Sequence, residues 1–500
     1  MTEASHIINI NKNSIISYNP TTKKPIKTID TISTIELNDR LDELVESRAD
    51  WSSTSLKSRS KQLINVRKVI VKNYDRIIVS LAEETGKTNG EAHNEVFATL
   101  EHLKFISKEG PRYLKSEYRK AGILKSKKGY INYLPHGVVG VITPWNFPFF
   151  LSILPIAEAL IAGNTVIFKP SELTPLIGQK IHDIFVEGGI STKVFQIAQG
   201  EGDVGAAIVR NNKTDMICFV GSVEVGKEIG TVCGEMMKPV LLELGGNDPM
   251  IILEDANLER AANAAIWGGM TNCGQICISV ERIYVIETIA DKFIGLVKKK
   301  IASLKYGQDK ENMDMGSLAD NRQHKIVLNH IKDAKNKGGK ISVGGENRDD
   351  LGGYFIEPTI VENVNHNMNI MKKETFGPEI AIMRVKNEKE AIKMANDTTY
   401  GLAASVFSKN KKRARKVAKQ LKSGSVCIND VMANLLFPSL PFGGVKNSGI
   451  GRDYGIEGLR SFTQIQAVCE DRIGLKKELW WYPMSKRTQS LFRKFAKLYY

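Results

Sequence analysis

Cysteine is scarce: six residues (Cys218, Cys233, Cys273, Cys277, Cys427, Cys469) in a chain of 500. So few cannot staple so long a chain, which excludes a disulfide framework and points to reduced thiols in a cytoplasmic setting. Residues 1–10 lack a basic segment leading into an apolar stretch, so no secretory signal is visible. A long uninterrupted apolar run is also missing. The most apolar stretch, residues 138–168, is broken by Pro144, Asn146, Pro148, Pro155, Glu158 and Asn164 and reads as buried strands and a buried helix, not a membrane span. Acidic residues are in deficit, 55 against 70 basic, but the surplus of +15 is scattered and no nucleic-acid motif accompanies it, so no nucleic-acid partner is expected. No Cys/His pair with zinc spacing joins Cys273-x-x-x-Cys277, so no metal is expected. Repeats and low-complexity linkers are absent.

What is present is an ordinary globular composition, 42% hydrophobic and 25% charged, in a chain too long for one core; two or three domains are expected. The first 30 residues are polar and read as a surface wrap. Residues 35–118 carry apolar side chains at helical spacing and predict successive amphipathic helices. Residues 122–133 read as a hairpin, with Ile123-Leu124 and Tyr130-Ile131-Asn132-Tyr133 flanking a basic turn at residues 125–129. Such an exposed pair needs a cover, often another subunit. From Val138 the pattern becomes strand, loop, helix, with strands at residues 138–142, 165–168, 194–197 and 216–220, the rhythm of a parallel α/β sheet. A second α/β rhythm follows Leu244: a strand at 250–252, a helix over 258–268, a strand over 282–286 and a helix from Asp291.

Two residues 34 positions apart carry the strongest chemical signal. Glu243, in Leu242-Glu243-Leu244-Gly245-Gly246-Asn247, is a carboxylate on an apolar segment, costly to bury without a task. Cys277, in Asn272-Cys273-Gly274-Gln275-Ile276-Cys277, sits among small residues that let a substrate approach. A nucleophile and a base suggest covalent catalysis followed by attack of water. The plainer readings are an inert buried thiol and a buried, paired acid. Asn146, in Thr143-Pro144-Trp145-Asn146-Phe147-Pro148, is held stiffly with its amide buried, either as an oxyanion donor or as a structural side chain bonded to backbone. Lys169-Pro170-Ser171-Glu172 follows a strand and offers a lysine and a carboxylate to ribose hydroxyls if it lies at a sheet crevice; otherwise it is a surface turn. In Phe219-Val220-Gly221-Ser222, Ser222 reads as a helix N-cap whose free N–H groups face an anion, or as a cap with no ligand. Gly200-x-Gly202-x-x-Gly205 matches a dinucleotide fingerprint but lacks the strand-end acid expected about 20 residues on.

In order along residues 20–470, these segments, with Glu374-Thr375-Phe376-Gly377-Pro378, Tyr400-Gly401-Leu402 and Pro441-Phe442-Gly443-Gly444-Val445-Lys446-Asn447-Ser448-Gly449, resemble the aldehyde dehydrogenase superfamily. The resemblance implies an α/β fold with a Rossmann-like cofactor domain (residues 1–118 and 136–245), an α/β catalytic domain (246–446), a small β oligomerisation element (119–135 and 455–470, with a strand near 461–468) and a basic aromatic tail (471–500). It implies a homodimer or homotetramer that oxidises an aldehyde to its acid with NAD(P)+. Cys277 is then the nucleophile, Asn146 and the Cys277 N–H the oxyanion hole, and Glu243 the base for the water that cleaves the thioester. Lys169 and Glu172 become adenosine-ribose ligands, Ser222 the pyrophosphate ligand, Gly202 part of the adenine wall, and Glu374 and Phe376 the nicotinamide-side clamp and support. Thr143, Pro144, Trp145, Ser171, Gly221 and Leu244 complete the implied cofactor set. Glu172 favours NAD, because a carboxylate repels a 2′-phosphate; a rotated Glu172 admits NADP.

Several residues bear on substrate. Ile276 and Ile278 flank the nucleophile, and residues 149–154 lack the arginine that follows Trp-Asn-Phe-Pro in one group of succinate-semialdehyde dehydrogenases, which favours an apolar aldehyde. Against this, Cys277-Ile278-Ser279-Val280-Glu281-Arg282, Asn429-Asp430-Val431-Met432 and Trp480-Trp481-Tyr482-Pro483 are similar to a prokaryotic branch named for succinate semialdehyde. A CoA-acylating enzyme is disfavoured by Glu243, and a silent paralogue by the intact Cys277, Glu243 and Asn146 set. In the tail, Leu491, Phe492, Phe495 and Leu498 alternate with Lys486, Arg487, Arg493, Lys494 and Lys497. This reads as a helix packed on a neighbouring subunit, with contact to an anionic membrane surface as the alternative.

Overall fold

The computed structural model describes residues 13–499, in two compact units: residues 13–114 with 135–464, and residues 115–134 with 465–499. The larger unit opens with a β-hairpin, Ser14–Asn19 paired with Lys24–Asp30, where a surface wrap was expected; Ile15 and Ser17 are buried. The part of that expectation on residues 1–12 lies outside the described residues. Four helices follow, Thr34–Ser53, Leu56–Lys72, Tyr74–Thr85 and Asn89–Tyr113, as the apolar spacing predicts. Capping boxes start the first and last: Ser33 with Glu36, and Thr88 with Glu91.

A six-stranded sheet carries, in spatial order, Gly449–Ile450, Val240–Glu243, Met216–Val220, Val138–Ile142, Thr165–Lys169 and Phe195–Ile197; all pairs but the first are parallel. Its central strands are buried throughout and are largely apolar, as a sheet covered on both faces requires. The helix Phe150–Ala162 is buried at every position and ends on Gly163 at φ 98°. The most apolar stretch is therefore core, in keeping with its polar interruptions. From Val138–Ile142 the chain runs outward through Thr165–Lys169 to Phe195–Ile197, then returns to the other side with Met216–Val220 and Val240–Glu243. That reversal is a topological switch point, where the carboxyl ends of adjacent strands open a crevice. Thr143, Lys169, Gly221 and Leu244 sit at four of these strand ends.

The second rhythm is a seven-stranded sheet in the same unit: Lys340–Val343, Thr359–Glu362, Glu379–Val385, Val280–Ile286, Asp248–Ile252, Ala403–Phe407 and Ser425–Ile428, with the first pair alone antiparallel. The helix expected from Asp291 begins at Glu287.

In the smaller unit, Thr463–Asp471, Lys127–Pro135 and Glu117–Arg119 form a three-stranded sheet. The expected hairpin is displaced: its first strand is Glu117–Arg119 instead of Ile123-Leu124, and Lys127-Lys128-Gly129 belongs to a strand, with Tyr118 opposite Tyr130. The lysines are accepted there because Lys127 pairs with Asp471 at 2.6 Å and with Glu478, while the Lys128 ammonium lies 4.7 Å from the Tyr118 ring centre. The turn falls instead around Gly122, at φ 60°. The segment at 455–470 is also divided: Gly455–Ser461 is a helix, and the strand runs on to Asp471. The helix Lys486–Tyr499 closes the described chain.

Candidate active site

The Cys277 loop begins where the helix Leu258–Met270 stops. A short turn, Thr271–Gly274, carries three successive residues in the left-handed region: Asn272 (φ 53°), Cys273 (φ 57°) and Gly274 (φ 69°). For the two that are not glycine this costs about 1–2 kcal/mol each, so neighbours must hold it. The Asn272 N–H donates to Glu91 Oε1 at 2.6 Å, Asn272 Nδ2 donates to the Asn146 carbonyl at 3.0 Å, and Gln275 Nε2 donates to the Asn272 carbonyl at 2.9 Å. The thiol of Cys273 is buried and donates to the Gly316 carbonyl at 3.0 Å, whereas Cys277 keeps partial exposure. Of the two cysteines in the motif, one is a structural donor and one is open to a reactant.

Glycines bring the other motifs to this loop. A methyl group on Gly246 would fall 2.1 Å from the Cys277 carbonyl oxygen, and one on Gly245 would fall 2.2 Å from Glu374 Oε2. The Gly246 N–H donates to Glu374 Oε1 at 2.9 Å. A methyl on Gly274 would collide with the Gly377 carbonyl at 1.8 Å. The segment after Glu243, the loop at 374–378 and the cysteine loop are thus in backbone contact. The Trp145 and Phe376 rings meet edge to face at 5.6 Å, and Asn146 Nδ2 donates to the Gln275 carbonyl at 2.9 Å, two residues before Cys277. Sequence positions from 145 to 376 meet in one place.

Charge converges on the same loop. Burial pushes the Cys277 thiol well above its ordinary range, reinforced by the carboxyls of Glu374, Asp248 and Glu243. Glu243 is buried at the end of its strand, and among the described residues neither of its carboxyl oxygens has a hydrogen-bond partner. Burial, then Asp453, raises its pKa well above normal, with Arg452 opposing. The loop at Gly443 lies over it: a methyl there would sit 2.6 Å from Glu243 Oε1.

Behind the loop stands a frame that sequence reasoning missed. Lys87 and Glu95 form an ion pair with no side-chain exposure, and Lys87 Nζ also donates to the Asn146 carbonyl at 3.0 Å. Glu95 Oε1 accepts the Phe149 and Phe150 N–H groups at 2.8 and 3.1 Å. Glu91, the capping-box acid, is the same residue that holds Asn272. Glu281 accepts from Thr375 N–H (3.0 Å), Phe376 N–H (2.9 Å) and Asn247 Nδ2 (2.7 Å), and burial pushes its pKa up to about 7. The one available signal was the Thr88-x-x-Glu91 capping pattern; nothing in the sequence marks the other charges as buried.

At the switch-point crevice, Lys169 Nζ lies 2.9 Å from Glu172 Oε2. Burial would raise the Glu172 pKa, but the charge and hydrogen bond of Lys169 hold it below the usual carboxylate range. Ser171 Oγ accepts from Leu173 N–H at 3.2 Å, and Thr143 Oγ1 lies 2.6 Å from Ser152 Oγ, so both hydroxyls are engaged locally. Pro144 follows Thr143 at the strand end, and Leu244 is buried. Ser222 is the N-cap of Val223–Glu235, its Oγ accepting from Val225 N–H at 3.3 Å. The Gly221 N–H donates to the Glu243 carbonyl at 3.0 Å, which ties this rim to the Glu243 strand. Gly202 is the first residue of Gly202–Arg210, with open space where a Cβ would stand.

The family model "Aldehyde dehydrogenase family" matches residues 8–468. Among similar proteins, a 4,4′-diapolycopene aldehyde oxidase of Methylomonas is 38% identical over 453 residues, covering 90% of this chain and 84% of the relative. A Mycolicibacterium smegmatis protein named for succinate-semialdehyde dehydrogenase and NADP(+) is 36% identical over 456 residues, covering 88% and 87%. Among solved structures, an NAD-dependent aldehyde dehydrogenase from Sinorhizobium meliloti superposes with a TM-score of 0.90 at 29% identity, covering 94% of this chain and 93% of its own. Betaine aldehyde dehydrogenase from Staphylococcus aureus, in complex with NAD+, gives 0.88 at 30%, covering 94% of each. With a match across nearly the whole length and loops that meet as the resemblance requires, the chain belongs to the aldehyde dehydrogenase family and is an NAD(P)+-dependent enzyme that oxidises an aldehyde to its carboxylic acid.

Proposed function

We propose that this chain oxidises an apolar aldehyde, with NAD+ preferred, through an acyl group held on Cys277. The observation that carries the reading is the contact between the Gly246 backbone and the Cys277 carbonyl, which joins the strand bearing an unpartnered Glu243 to the one part-exposed thiol of the loop. In this reading the sulfur of Cys277, as thiolate, adds to the aldehyde carbonyl. The Asn146 amide donates to the oxygen as it gains charge, its position set by Lys87 and Gln275. When bound, NAD(P)+ supplies the hydride acceptor. Glu243, with no hydrogen bond to break, takes a proton from the water that attacks the thioester; its raised pKa makes it a better base once ionised.

The crevice residues fit the dinucleotide. Lys169 and Glu172 lie where ribose hydroxyls would be bound, the Ser222 helix start offers N–H groups to phosphate, the open space at Gly202 admits a flat ring, and Glu374 and Phe376 lie beside the cysteine loop. The six-stranded sheet is then the cofactor domain and the seven-stranded sheet the catalytic domain. The smaller unit, with its edge strands, mediates a homodimer or homotetramer in the cytoplasm. Among the described residues no helix is long and apolar enough to cross a membrane.

Two features support an apolar substrate: Ile276 and Ile278, both buried beside Cys277, and the all-apolar face of residues 149–154 apart from Ser152. The relative that acts on diapolycopene aldehyde agrees with this; the one named for succinate semialdehyde supports the second reading. Initial rates on medium-chain aliphatic, aromatic and carboxylated aldehydes decide between them. The proposal expects kcat/KM for an apolar aldehyde above that for succinate semialdehyde by about tenfold per two methylenes buried; the reverse order overturns it. For the cofactor, a kcat/KM ratio favouring NADP+ overturns the role given to Glu172.

A further inference from the structure

We infer that the last helix, Lys486–Tyr499, is an interfacial anchor that lies on an anionic lipid surface. After Glu478 the chain has no acidic residue, while Lys486, Arg487, Arg493, Lys494 and Lys497 supply five cations within the helix. At 100° per residue these fall on one side. Leu491, Phe492, Phe495, Leu498 and Tyr499 fall on the other, and all five are exposed. The Phe495 and Tyr499 rings stack at 4.6 Å along that face. No residue of the helix is buried. Its start is encoded locally: Ser485 Oγ accepts the Thr488 N–H at 3.1 Å, so the helix has a cap of its own.

The approach to the helix has the same character. Leu479, Trp480, Trp481 and Tyr482 are all exposed, Tyr482 at 92%. Tryptophan and tyrosine ahead of a basic amphipathic helix are the side chains that settle at the boundary between headgroups and acyl chains. The root of this segment is fixed, since Glu478 is buried and paired with Lys127. Charge selects the occupant. A second copy packed through the apolar face would leave five cations on each helix with no counter-charge, whereas an anionic bilayer meets the cationic side with opposite charge and takes the aromatic side into its boundary layer. The apolar face is only about three turns long, so the attachment is reversible and depends on salt. If the apolar substrate reading also holds, the enzyme is concentrated in the phase into which its substrate partitions, but the attachment does not depend on that reading.

The test is flotation of the full-length enzyme with vesicles of phosphatidylglycerol and phosphatidylcholine, beside vesicles of phosphatidylcholine alone, at about 0.1 M salt. Binding is expected to the anionic vesicles, to be lost at about 1 M salt, and to be absent from the neutral ones. Lys494→Gln with Lys497→Gln should weaken it by about tenfold or more, as should Phe492→Ser with Phe495→Ser. Both pairs should leave turnover of a short soluble aldehyde and the light-scattering mass unchanged. Three results overturn the inference: an active enzyme that ignores anionic vesicles, vesicle binding that the two phenylalanine substitutions leave intact, or a fall in oligomer mass in either pair, which would show that the helix packs on a subunit.

Discussion

The two sides of the Cys277 loop treat charge in opposite ways. Behind it, Lys87, Glu95, Glu91 and Asn272 are buried with partners for each charge and amide. In front, Glu243 is buried with none, and Cys277 faces three carboxyls that oppose its ionisation. Buried polar groups are normally satisfied, so under the proposed mechanism the contrast separates scaffold from chemistry. The paired charges fix geometry; in the proposed mechanism Glu243 is held ready for the water that attacks the thioester.

Five substitutions would break or sharpen that contrast. The largest loss is expected from Cys277→Ala, which should remove dehydrogenase activity by more than about 10⁴-fold while leaving the chemical unfolding midpoint in place; Cys273→Ala, read with the same NADH absorbance assay, should retain turnover. Next, Glu243→Gln should slow steady-state turnover by about 10²–10⁴-fold yet keep a first burst of NADH, because only acyl release needs the base. Its stability in urea should equal or exceed that of the parent, since a buried acid without partners is removed. On the scaffold side the signs reverse: Lys87→Met should cost about 3–5 kcal/mol in the same urea titration by stranding Glu95. The smallest effect is a shift in pH. Cys277 reacts as thiolate and its pKa is raised, so alkylation by iodoacetamide should climb with pH and reach its plateau only above the ordinary thiol range. Glu374→Gln removes the largest of the opposing charges, so the profile should move to lower pH.

Much of the front was legible in the sequence. An acid on an apolar segment, a cysteine among small residues and an asparagine between prolines are local departures from what composition allows, and the structure brings Glu243, Cys277 and Asn146 to one loop system. The Ser222 cap was equally readable, because a strand-to-helix junction is a short-range event. The back was not. Lys87, Glu95 and Glu281 look like solvated charges, and their burial depends on partners that lie up to 95 residues away in the chain, as for Glu281 and Phe376. The smaller unit failed for a related reason. Lys127-Lys128 reads as a turn from sequence, since no local pattern announces that Asp471, 344 residues on, will neutralise a strand lysine.

The missing Cβ at position 246 has a further consequence. The gap between the sulfur-bearing loop and the strand of Glu243 is gauged by one absent carbon, because a methyl there would overlap the Cys277 carbonyl. A single alanine would act as a wedge. It would prise nucleophile from base without touching either, and leave a protein that still docks its dinucleotide yet cannot turn it over.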